Sequence, residues 1–140
     1  DNRIIEKKAT LSFGEEKGKT FKTEAQHDDF KSKIGDIFYN VFAFNMQISD
    51  EIDLNKKDDF ATRGVAGFVQ GMFASNEAII LTDESGKFWA ASIDIELTTN
   101  EFVVRYFTND DERMNELPTT IEDWRENFMD YSVIFEGLEQ

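Results

Sequence analysis

Between Lys87 and Leu97 the chain reads in twos. Trp89, Ala91, Ile93, Ile95 and Leu97 alternate with Phe88, Ala90, Ser92, Asp94 and Glu96. A period of two puts the first set on one face of a strand and the second on the other. The pattern predicts one core face and one half-solvated face, as in an antiparallel sheet. Ala78 to Thr82 is a shorter apolar run, and Asp83-Glu84-Ser85-Gly86 reads as a turn. Thr98-Thr99-Asn100 is a second turn, and Phe102 to Phe107 reads as a third strand, so the three predict a meander.

The flanking segments are less regular. Lys8 to Phe13 alternates, so Ala9, Leu11 and Phe13 are expected on one strand face, followed by a charged loop from Gly14 to Thr20. Phe30, Ile34, Ile37, Phe38, Val41 and Phe44 recur at helical spacing behind Asp28 or Asp29 as a cap. Phe42 and Met46 widen that stripe into a mostly buried helix. Ile48 to Asp59 reads as a polar connection. A second helix is expected from about Asp59 to Ser75, with Ala61, Val65, Phe68, Val69 and Met72 on its apolar face. Gly64, Gly67 and Gly71 would each cost it roughly 1 kcal/mol relative to Ala. They imply close approach by another element, or else a loop or broken helix.

Asn109 to Pro118 reads as a loop. Thr119 with Glu122, or Thr120 with Asp123, has capping-box spacing for a short helix carrying Ile121, Trp124 and Phe128, and Tyr131 to Phe135 is a final strand. The order β-α-α-β-β-β-α-β predicts a single α+β domain over residues 1–140. Its antiparallel sheet of four to five strands should carry the helices on one face, with Trp89 and Trp124 buried.

Composition narrows the chemistry. Fourteen Phe supply large buried area without polar atoms, and the absence of Cys removes thiol catalysis, cysteine zinc sites and disulfides. No apolar run approaches the roughly 18–20 residues of a membrane span, because Asn40 and Asn45 interrupt the densest stretch, Ile37 to Met46. No membrane insertion is therefore expected. The first residue is Asp1, which a cleaved signal peptide and a trimmed sequence would both produce. The compartment stays open, with a slight lean towards export.

The single histidine, His27, rules out a two-histidine metal site within the chain and, beside Gln26, Asp28 and Asp29, is expected at the surface. No serine lies in a Gly-x-Ser-x-Gly setting. Asp53-Leu54-Asn55-Lys56-Lys57 starts like a calcium loop, then places Lys where a ligand belongs and lacks the central Gly. Gly64, Gly67 and Gly71 lack the Lys-Ser/Thr of a phosphate loop. The expectation is a protein that is not an enzyme, with no cofactor and no metal.

Charge carries the functional signal. Residues 1–70 hold 11 Lys and Arg against 13 Asp and Glu, whereas residues 71–140 hold 4 against 16. A one-signed field attracts a basic protein surface and repels nucleic acid and anionic membrane. Asp94 and Glu96 share the outer face expected for the long strand, and Asp110, Asp111, Glu112 and Glu116 crowd the loop after the next strand. Phe88 shares that outer face and Tyr106 is an outward candidate, so these eight residues are the expected partner-binding set. They imply a small acidic binding protein that neutralises a basic partner, such as an immunity or inhibitor protein plugging the phosphate-binding site of a toxin enzyme. One alternative is a small-ligand-binding or enzymatic α+β domain with a Phe-lined pocket between helices and sheet. A third is a nucleic-acid mimic, and outward aromatics also admit a homodimer. The plain alternative for the charge is solubility.

Overall fold

Six strands form one sheet whose spatial order is the order of the chain. The computed structural model describes residues 9–138. The strands are β1 (Ile48–Glu51), β2 (Arg63–Phe68), β3 (Glu77–Thr82), β4 (Phe88–Glu96), β5 (Glu101–Thr108) and β6 (Ser132–Phe135). The α-helices among the described residues are α1 (Glu24–Ile34), α2 (Asp36–Asn45) and α3 (Thr119–Arg125), with single 3-10 turns at Asp111–Arg113 and Glu126–Phe128. Strands β1 to β5 pair antiparallel, and β6 joins β5 in parallel. The α+β class read from the pattern is the class observed.

Both faces of the sheet are covered, which corrects the half-solvated face expected for β4. Phe88 and Ala90 join Ala78, Ile80 and Val65 beneath α1 and α2, where Phe30, Tyr39, Phe42 and Phe107 complete one core layer. Trp89 and Ala91 join Ile79, Leu81, Val104 and Tyr106 beneath Ile121 of α3, with Ile52, Leu54 and Phe60 packed alongside. The single helix-bearing face thus holds for α1 and α2, while α3 and residues 52–60 make a second layer opposite. Phe30 meets Phe88 at 4.9 Å and Phe42 at 5.5 Å between ring centroids, both edge to face. Aromatic rings fill this part of the helix–sheet space.

The first helix is in fact two. Thr23, not Asp28 or Asp29, caps α1 by accepting from the Gln26 amide, and Gly35 breaks the chain at φ +86°. That break re-phases the stripe: Tyr39, Phe42, Ala43 and Met46 are buried, whereas Ile37 is 79% exposed and Phe44 is partly exposed. Residues 9–12 form no strand; Leu11 is buried and Phe13 makes an isolated bridge to Phe21. Lys8 lies outside the described residues.

The expected helix from Asp59 to Ser75 is β2 and the turns around it. Gly64 and Gly67 do mark close approach, whereas Gly71 has open space around it and a φ of +81°. A Cβ at Gly67 would stand 2.6 Å from the Met46 Cα, where the end of α2 crosses the sheet, and one at Gly64 would press on Ile52, Leu54 and Leu81. β1 lies inside the stretch read as a connection. At α3, neither Thr119 nor Thr120 caps its own helix. The Asp58 carboxylate accepts from the backbone N–H of Thr119 at 3.0 Å and of Thr120 at 2.6 Å, tying the second layer together. Trp89 is buried as expected, and Trp124 is half-buried.

Candidate functional site

The expected partner-binding set does not form one patch. Phe88 is buried beneath α1 and α2, and Tyr106 is buried in the α3 layer, because a second layer covers the face that had been read as open. Asp110 is only 2% exposed and is a structural acid. Its carboxylate accepts from the Trp89 indole at 3.0 Å, from Arg113 at 3.0 Å and from the Glu112 amide at 3.1 Å. Burial pushes its pKa up, but these donors outweigh burial and hold it below the usual value. Asp111, Glu112 and Glu116 are exposed around it.

Asp94 and Glu96 sit at the other end of β4. Asp94 is opposite Val103 and Glu96 opposite Glu101, whereas Trp89 is opposite Thr108, just before Asp110. Val103 to Asp110 is about seven residues of nearly extended chain, or roughly 20 Å. Arg105 partly neutralises the first group. Its Nε donates to Asp94 at 2.9 Å and its Nη1 to Glu136 at 2.7 Å, with Glu96 at 3.6 Å and the Phe38 ring at 5.4 Å. The Thr98 amide and hydroxyl hold the Glu96 carboxyl below its usual pKa, with Arg105 adding to them.

Asp94 and Glu96 nevertheless border the most distinctive surface on the molecule. Residues 45–51, 69–77, 94–102 and 126–132 meet at this end of the sheet, joined by pairing of Ile48 with Phe68, Ala78 with Ser92 and Val103 with Ser132. Tyr131 fastens its own segment to two others, packing its ring at a tilt against Phe102 at 5.6 Å and donating its hydroxyl to the Ala74 carbonyl at 2.6 Å. The four segments carry eight Asp or Glu and no Lys, Arg or His. Phe44, Ile48, Met72, Phe73, Ile95, Leu97, Phe102 and Met129 are large apolar side chains exposed within or beside them. Monomeric surfaces rarely gather so many in one place without a binding role. Between α2, the 72–76 turn and the ends of β4 and β5 lies a cleft of about 510 Å³, walled by Phe44, Met72, Ile93, Ile95 and Phe102.

Asn45, Asn76 and Asp94 also line this cleft. β4 outruns β3 here, because Ala78 of β3 already faces Ser92 and nothing pairs with Ile93 to Glu96 on that side. Side chains close the open edge. Asn45 Nδ2 donates to the Ile93 carbonyl at 3.0 Å and the Ser92 hydroxyl at 2.8 Å. Asn45 Oδ1 accepts from Asn76 at 2.9 Å, and Asp94 Oδ1 accepts the Ile95 N–H at 2.8 Å.

His27 is 7% exposed, against the surface position expected. Its Nδ1 lies 2.9 Å from Asp28 and its Nε2 2.5 Å from the Tyr39 hydroxyl, which in turn accepts the Leu11 N–H at 3.0 Å. Burial raises the Tyr39 pKa, with the Asp28 charge adding to it against the Leu11 bond. This row of carboxylate, imidazole and hydroxyl ends on a buried oxygen that anchors the N-terminal segment, so its role is structural. Among the described residues no group of three or more His, Asp or Glu side chains is placed to hold a metal ion. No described helix is long and apolar enough to cross a membrane.

Charge also divides by layer. Residues 52–60 and 109–130, which cover one sheet face, carry 11 Asp or Glu against 4 Lys or Arg. Residues 14–36, on the other face, carry 6 against 5. The acidic excess is thus greater on the α3 side of the sheet than on the α1 side. No family model, no curated protein and no solved structure matches the chain. The apolar walls of the cleft were missed from sequence because Phe44 and Met72 fall on stripes that read as core. The all-acidic composition of the four segments was the available signal.

Proposed function

We propose that this chain is a small acidic, non-catalytic binding protein that neutralises a basic protein partner, docking through the end of the sheet. One observation carries the reading: the four segments meeting at this end of the sheet carry eight carboxylates and no cation of their own beside an exposed apolar cleft, at whose border Arg105 offsets Asp94 and Glu96 only in part. Apolar anchors supply most binding energy at such surfaces, and a one-signed rim speeds encounter with the right partner and rejects the wrong ones. Asp111, Glu112 and Glu116 are too far away to touch the same anchor, and they add to the long-range field. A toxin enzyme fits the class, since sites that bind phosphates are positive and an acidic plug fills them.

A small-ligand reading rests on the same cleft, whose volume suits one. It is the weaker reading because Asn45, Asn76 and Asp94 all direct hydrogen bonds into the protein rather than into the cleft. The deciding experiment captures the partner from the native source and follows its association rate against salt. Glu101→Lys with Asp130→Lys should slow association on the order of tenfold at low salt, and added salt should slow the wild type. A rate indifferent to both salt and charge reversal overturns the reading and leaves the acidity as a solubility feature.

A further inference from the structure

We infer that the segment the cleft receives is an α-helix of the partner, apolar on one face and basic on the other. This rests on the sheet end being the docking surface for a basic protein. Three observations select the occupant.

First, the cleft holds about 510 Å³, more than one side chain fills, and its walls are the exposed apolar groups Phe44, Met72, Ile95 and Phe102. A helix delivers several apolar side chains at successive turns into such a groove. Second, an extended segment has little to pair with. The only sheet edge in the cleft is Ile93 to Ile95 of β4, where Asn45 holds the Ile93 carbonyl and Asp94 holds the Ile95 N–H. The outer strand β1 is blunted in the same way, since the Asp50 carboxylate accepts the Glu51 N–H at 2.8 Å. Third, the exposed charge at this end of the sheet is negative, because Arg105, a cation that reaches it, is largely buried and engaged with Asp94, Glu96 and Glu136. Asp50, Glu51, Glu101, Glu126 and Asp130 are exposed there with no cation among them. A second copy packed on this face would bring like charges together, and an anionic membrane would be repelled. Lys and Arg flanking an apolar stripe meet this rim directly.

The test titrates the full chain with a synthetic Leu/Lys amphipathic helix of about five turns, long enough to hold helical structure. The comparison ligands are a scrambled peptide of the same composition, a Leu/Glu counterpart and phosphatidylglycerol vesicles. Binding is read by calorimetry and by NMR shifts of the Met72 and Ile95 methyl groups. The amphipathic helix is expected to bind and move those methyls, with the scrambled peptide at least about tenfold weaker. Met72→Lys, on an exposed wall, should weaken the helix by about tenfold, and Glu101→Lys on the rim should weaken it several-fold.

Equal binding of helix and scrambled peptide overturns the helix and leaves the basic-partner reading standing. Failure of every cationic peptide at low salt overturns both. Vesicle binding, or self-association that Met72→Lys abolishes, assigns the cleft to another occupant and overturns the inference.

Discussion

Asp110 looked like a surface charge and is a buried acceptor for the Trp89 indole and the Arg113 guanidinium. Asp110→Ala would leave the indole N–H without an acceptor inside the core, at a cost of about 1–3 kcal/mol in chemical denaturation. The pH dependence follows from the direction of its shift. The folded-state carboxyl titrates below its ordinary value of 3.8, so its stabilisation is complete above that value. It is lost as pH falls through the folded-state value. Melts between about pH 5 and pH 2 should show a shallower acid limb for Asp110→Ala than for wild type. Gly67 sets a steric test. Its missing Cβ would meet backbone of Met46, which cannot rotate away, so Gly67→Ala should cost about 1–3 kcal/mol by thermal melting. The need for small residues here was legible from the spacing of the glycines. The burial of Asp110 was not, because a carboxylate's hydrogen-bond partners lie far away in sequence.

Among the elements, those with a strong internal pattern were the readable ones. β3, β4 and β5 carry Ile, Val, Trp and Phe in runs that only a covered strand uses, and their turns announce themselves. β1 was invisible because all four of its residues are exposed and its existence depends on pairing with β2. β2 was mistaken for a helix because Ala61, Val65, Phe68 and Met72 happen to fall at helical spacing. Within Arg63–Phe68, Val65 and Gly67 face the α1–α2 layer while Gly64 and Ala66 face the opposite one, the period of two that a strand imposes. α3 begins on a cap supplied from Asp58 in another segment, which no local motif can reveal. Asp58→Ala should cost about 0.5–2 kcal/mol. Amides at Thr119 and Thr120 should lose hydrogen-exchange protection first, and equal protection in the variant would show that Pro118 alone starts the helix.

At the scale of the whole molecule, charge pointed to a class of partner but not to a place. The candidate surface draws its acids from four segments that only the sheet brings together, and its apolar walls look like core in one dimension. The strand order has a separate consequence, for the time course of folding. Because spatial order equals chain order, β1 to β5 pair only with sequence neighbours, and that part of the sheet can grow hairpin by hairpin with little loop-closure entropy. β6 is different: it reaches β5 only after residues 109–131 have crossed over with α3. The last strand and the α3 crossover should therefore dock as one late unit onto a preformed meander. Native-state hydrogen exchange should find β6 and α3 opening together at a lower free energy than β3 and β4. A single opening energy for the whole sheet would show that the crossover belongs to the nucleus itself.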